Sequence, residues 1–76
     1  MKQFERISHD IGIMGGKPCI VGTRITVGAI LMQLSEGTTV ERLLVAYPSL
    51  TEEDIAEALR YAAWAVGTKD DYIIPA

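Results

Sequence analysis

Residues 15 to 27 read Gly-Gly-Lys-Pro-Cys-Ile-Val-Gly-Thr-Arg-Ile-Thr-Val, and no other stretch of the chain restricts its fold as tightly. Turn-formers come first, then a short apolar pair, then Gly-Thr, then apolar residues that lead into a helix. Glycine adopts backbone angles that other residues resist, and proline fixes its own φ. Such a segment builds a compact ribbon of defined shape. Cys19-Ile20 and Arg24-Ile25 flank Val21-Gly22-Thr23, the pattern of a tight hairpin with Gly22 at the special angle. Upstream, Ile11 and Ile13 alternate with Asp10, Gly12 and Met14 as a half-buried strand would, and Phe4 and Ile7 fall on a short extended arm.

After the ribbon the period changes from two to 3.6. Val27, Ile30, Leu31 and Leu34 form one apolar stripe, with Thr26 placed to cap the helix, Ile25 to staple onto Ile30, and Gly37 to stop it. Val40, Leu43, Leu44 and Tyr47 repeat the stripe in a second helix, capped by Thr38 or Thr39 and ended by Pro48. In a third helix Thr51 caps, with Asp54 three residues on, and Leu50 can staple onto Ile55. Glu52, Glu53 and Asp54 sit at the positive end of its dipole. Ile55, Ala58, Leu59, Ala62 and Val66 make its expected core face, and Gly67 closes it. The expected architecture is mainly α: a short N-terminal β-ribbon followed by a three-helix cluster. Its last two helices have helix-turn-helix lengths. One domain accounts for residues 1–76, with arm and ribbon over 1–26, helices over 27–66 and a C-terminal tail over 67–76.

The glycine-rich ribbon also carries a resemblance. Gly15-Gly16-Lys17-Pro18, Ile20, Gly22-Thr23-Arg24-Ile25 and Val27 resemble the prokaryotic family catalogued as domain of unknown function 433. Leu34, Gly37, Glu41, the run Tyr47 to Ile55, and Ala58-Leu59 with Tyr61-Ala62 continue the likeness, from about Ile7 to Trp64. The resemblance implies a homeodomain-like fold. It also implies a VapB-like antitoxin paired with a PIN-like ribonuclease toxin.

Size and composition narrow the partners. A chain of 76 residues buries only roughly 60–65% of its unfolded surface, so help from oligomerisation is common. Apolar residues make up 49% of it and mean hydropathy is +0.21. That points either to alanine-rich helix or to an interface with a second copy or another protein; the interface is the expectation. Cys19 is the lone cysteine, which excludes an internal disulfide and fits a reducing compartment. No apolar run approaches the roughly 20 residues of a membrane span, so a cytoplasmic protein with no membrane partner is expected. Net charge is −3, with Lys2, Arg6, Lys17, Arg24, Arg42, Arg60 and Lys69 scattered, which argues against strong general affinity for nucleic acid.

No catalytic constellation emerges. Gly12 to Pro18 fails as a phosphate loop: its glycine spacing is one residue short, and Pro18 stands where a hydroxyl is needed. His9, the single histidine, with Asp10 reads as a surface turn. One cysteine and one histidine make no zinc set, and Cys19 reads as buried packing. Glu52, Glu53 and Asp54 read as helix-start residues, and Glu57 as a solvated charge paired with Arg60. We therefore expect no enzyme, no cofactor and no metal.

Contact residues are a different matter. Trp64 falls about 180° from Ile55 on the helix, beside Glu53, Glu57 and Arg60, with Tyr61 between the faces. A tryptophan among charges either anchors a partner or is covered by its own tail or arm. The tail, with Tyr72, Ile73 and Ile74, either docks back or extends onto a partner. Tyr61, Trp64, Tyr72, Ile73 and Ile74 are the expected partner contacts. Arg6, Lys17 and Arg24 are the expected phosphate contacts if operator DNA is bound, because Thr51-Glu52-Glu53-Asp54 would repel it. The functional expectation is a non-enzymatic antitoxin that masks its cognate toxin protein, a PIN-like ribonuclease, and that forms a homo-oligomer such as a homodimer. The alternatives are a DNA-binding autoregulator and a purely structural homodimer.

Overall fold

A computed structural model describes residues 3 to 67. Its elements are β1 (Ile7–Ser8), a single 3-10 turn (Met14–Gly16), β2 (Cys19–Ile20), α1 (Val27–Ser35), α2 (Val40–Ala46) and α3 (Glu52–Val66). The fold is mainly helical, with a two-stranded antiparallel sheet at its N-terminal end. In that sheet Ile7 lies opposite Ile20, and Ser8 opposite Cys19.

The chain reverses where the ribbon sequence requires it. Thr23 N–H donates to Ile20 O at 3.0 Å, and Ile20 N–H donates to Ile25 O at 2.9 Å. Gly22 takes φ 79° while Val21 keeps a negative φ, the combination of a type II turn. The Thr23 hydroxyl locks the turn, donating to Ile20 O at 2.8 Å and accepting from Ile25 N–H at 3.0 Å. Beyond the turn only an isolated bridge, Cys19 to Thr26, joins the two arms. The full strand partner of Cys19–Ile20 is instead Ile7–Ser8, the segment expected to be an arm.

The expected strand at Ile11 and Ile13 is not formed. Asp10 Oδ1 accepts from Gly12 N–H at 2.8 Å, Ile13 N–H donates to Asp10 O at 2.9 Å, and Ile11 is left 86% exposed. The alternation was apolar against glycine rather than apolar against polar, and the Asx turn at Asp10 prevails over it.

The helix boundaries follow their capping chemistry. Thr26 Oγ1 accepts from Ala29 N–H at 3.0 Å. Thr39, not Thr38, caps α2, accepting from Arg42 N–H at 3.1 Å; the Thr38 hydroxyl turns back to Gln33 Oε1 at 2.9 Å. At α3 the capping box closes in both directions, Asp54 N–H to Thr51 Oγ1 at 3.1 Å and Thr51 N–H to Asp54 Oδ2 at 3.0 Å. Gly67 ends α3 in the left-handed region.

The core gathers residues from the arm, both strands and all three helices. Phe4, Ile7, Ile20, Val27, Ile30, Leu43, Leu50, Ile55 and Ala58 are buried together, with Ile25, Leu31, Leu34, Val40, Leu44 and Tyr61 packed around them. Cys19 is a buried free thiol. Three residues depart from their expected stripes. Tyr47 is exposed, and so are Leu59 at 45% and Val66 at 79%. At about 100° per residue, the buried arc of α3 runs from Asp54 through Ala58 to Ile55. It is rotated towards the Tyr61 side and away from Leu59 and Val66, because the N-terminal arm packs there.

Two glycines give a check on this account. At Gly22 an added Cβ would meet nothing within 4 Å, so any cost of Gly22→Ala is conformational, about 1 kcal/mol. Gly28 lies in α1 at ordinary helical angles, with Thr26 Oγ1 4.0 Å from an added Cβ. There alanine adds about 0.5–1 kcal/mol of stability. Urea denaturation of the two variants should therefore give midpoints displaced in opposite directions.

Candidate interaction surface

Four residues of α3, Asp54, Glu57, Tyr61 and Trp64, follow one another at spacings of three, four and three, so they form a single ridge. The arm that leads into and out of β1 lies along this ridge. Arg6 reaches Asp54, with Nη1 3.1 Å from Oδ1, and its backbone N–H donates to the Glu57 carboxylate. His9 Nε2 and the Tyr61 hydroxyl share a hydrogen bond of 2.8 Å. Phe4 packs edge-on against Tyr61, with ring centroids 5.4 Å apart, and lies 5.6 Å from Trp64. Tyr61 and Trp64 are 5.8 Å apart, so the three rings touch pairwise. Each separation suits the offset or edge-to-face contacts that aromatic quadrupoles favour.

The ridge changes character along its length. At the N-terminal end Asp54 is buried, 7% exposed, with both carboxylate oxygens engaged. Glu57, expected to be a solvated charge, is largely covered by the arm. It keeps its pairing with Arg60 at 3.7 Å. At the C-terminal end Trp64 remains 47% exposed. It is therefore held on one side by Phe4 and Tyr61 and open on the other, which combines the two readings of that residue. Around it Ala63, Ala65, Val66 and Gly67 are exposed as well.

The other expected site residues are dispersed. Arg6, named as a phosphate contact, is drawn onto Asp54. Lys17 is exposed just after the 3-10 turn, and Arg24 is exposed at the mouth of a cleft between the ribbon, α1 and α2. Glu52 and Glu53 are exposed at the start of α3. Tyr72, Ile73 and Ile74 lie outside the described residues. Sequence reasoning missed the roles of Phe4, His9 and Arg6 on α3. The ridge spacing was visible in the helix, but nothing in the chain announces a partner roughly fifty residues away. Among the described residues, no three His, Cys, Asp or Glu side chains converge to hold a metal ion. No helix there is long and apolar enough to cross a membrane.

This arrangement defines a small three-helix domain with a β-ribbon cap, in which an N-terminal arm is clasped to the last helix. The chain belongs to the family described as protein of unknown function DUF433, whose model matches residues 7–62. It is similar to the uncharacterized protein y4eO of Sinorhizobium fredii, with 40% identity over 58 residues. The match takes in 76% of this chain but 26% of that protein, so the chain spans about a quarter of its relative. A crystal structure of a DUF433 member from Anabaena variabilis superposes with a TM-score of 0.77 at 32% identity. It covers 83% of this chain and 62% of the other.

Two substitutions test the clasp. Asp54→Ala removes one half of the capping box and the carboxylate facing Arg6, and should cost about 2 kcal/mol. Glu52→Ala, in the same turn but exposed, should stay within about 0.5 kcal/mol. Phe4→Ala should cost about 3 kcal/mol. It should also shift Trp64 emission to the red and raise its quenching by iodide, because the ring then loses the cover of the arm.

Proposed function

We propose that the chain is a non-enzymatic, antitoxin-like protein that binds and masks a partner protein, a PIN-like ribonuclease toxin. The observation that carries this reading is Trp64. It is fixed by two neighbouring rings and open on its outer side. A pre-positioned tryptophan loses little conformational freedom on docking, which is why such residues dominate binding energy at protein interfaces. The surroundings support the same use, since Ala63, Ala65 and Val66 offer exposed apolar contact next to the ring. The net charge of −3 suits a basic, nucleic-acid-handling partner better than nucleic acid itself.

The second reading is a DNA-binding autoregulator. Lys17 and Arg24, both exposed, favour it. Arg6 does not contribute, because it is engaged by Asp54.

Co-expression with the product of the adjacent open reading frame separates the two. On the first reading the two proteins co-purify, and Trp64→Ala weakens the complex at least about tenfold, or 1.4 kcal/mol, when measured well below a thermal midpoint that itself falls by several degrees, because the ring packs on Phe4 and Tyr61. A gel shift on the upstream DNA stays negative or is non-specific. Specific, salt-dependent retardation lost in Arg24→Ala, with no co-purification, would transfer the function to the second reading.

A further inference from the structure

The first helix lacks the polar side that a helix at the surface of a small domain normally presents. Val27–Ser35 carries no charged residue, in a chain of which 22% is charged. The exposed side of α2, by contrast, holds Glu41 and Arg42, and that of α3 holds Glu52, Glu53 and Arg60. Val27, Ile30 and Leu34 of α1 face the core, where the helix packs on α3. At about 100° per residue, the opposite side carries Gly28, Ala29, Met32 and Ser35, all exposed, with Met32 59% open. A helix without a charged face is ordinarily covered all round. The one hydroxyl on this side is already used, Ser35 Oγ donating to Met32 O at 2.7 Å, so covering the face strands no donor.

Charge returns only at the two ends of this face. Arg24 lies just before the helix and Glu36 at its C-cap. Both are exposed, and among the described residues neither forms an ion pair. They stand on one flank of the helix: Arg24, Ala29 and Gln33 line one cleft, and Gln33 and Glu36 line the next. Counted from Ile30, Gly28 and Met32 are each two positions away, and Arg24 and Glu36 are each six. Antiparallel pairing about a two-fold axis brings together positions that are equally far from the centre on the same flank. The face is therefore complementary to itself, a large side chain meeting a glycine and a cation meeting an anion, each contact made twice. We propose that two copies of the chain associate through the exposed side of α1, antiparallel about a two-fold axis, with Met32 of each copy against Gly28 of the other and Arg24 of each against Glu36 of the other.

The test uses the full-length chain and charge exchange. Sedimentation equilibrium should show a dimer at micromolar concentration. Met32→Glu, which places a charge at the centre of the contact, should weaken it at least about tenfold. Arg24→Glu and Glu36→Arg should each weaken it by a similar factor through like-charge contact. Both put the charge that the helix dipole favours at their end of α1, so a weaker dimer would not report a lost helix, and circular dichroism should show each variant folded. Mixing Arg24→Glu with Glu36→Arg in equal amounts should restore the dimer, because in the mixed pair both end contacts are again between opposite charges. Met32→Glu should not be rescued by either variant. A monomeric wild-type chain, a dimer insensitive to Met32→Glu, or a mixture no tighter than its components would each overturn the proposal. None of these outcomes bears on co-purification with a toxin through Trp64, so the two readings fail separately.

Discussion

Asp54 uses its two carboxylate oxygens for two different purposes. Oδ2 accepts the Thr51 amide and completes the capping box that starts α3, while Oδ1 faces Arg6 and fixes the arm that leads into β1. A local signal, helix initiation, is thus tied to a contact 48 residues away. The geometry is consistent only when α3 begins at Glu52, because a shift of one residue would turn Asp54 by about 100° away from Arg6. Once Arg6 is fixed, its amide meets Glu57, and the following strand is set opposite Cys19–Ile20. The side chain of Asp54 is nearly buried and that of Arg6 is about half exposed. The pair is therefore partly desolvated, and its value lies as much in specifying one docking of the arm as in net stability.

Legibility in the sequence followed the range of the interaction. Helix boundaries, the Gly22 turn and the Gly67 stop rest on neighbours within a few residues, and Thr26, Thr51 and Gly67 act where capping rules place them. Errors arose where apolar spacing was the only guide. Leu59 and Val66 lie on the extrapolated stripe of α3, but the stripe presumes that burial is symmetric about Ile55. The arm breaks that symmetry by covering the side that carries Asp54, Glu57 and Tyr61, residues whose polarity suggested solvent. The Ile11–Ile13 alternation failed for a related reason. Period two distinguishes a strand only when the intervening residues are polar, and glycine is equally a turn-former.

The same clasp explains why the surface is apolar in patches. A ribbon, two short helices and one longer helix cannot enclose every apolar side chain of a chain this small. The arm covers one flank of α3, and apolar side chains stay open on every other side, from Ile11 and Val21 in the ribbon region to Val45 on α2 and Trp64 and Val66 on α3. Trp64 sits at the edge of the covered flank, and it owes its fixed position to Phe4 and Tyr61. Phe4 and Trp64 both flank the segment, residues 7–62, that matches the family model.

A domain built in this way keeps two surfaces apart, the aromatic edge of α3 and the cleft beside Arg24. The aromatic edge is rigid because it is backed by the core through Tyr61, which suits recognition of a preformed surface. The cleft is walled by residues of the ribbon and the first two helices, and Arg24 is the one charged residue on its wall. The two surfaces share no residue, so occupation of one leaves the other free. Coupling between them would have to pass through the core, where Ile30 lines the cleft and packs in the same cluster as Phe4 and Tyr61.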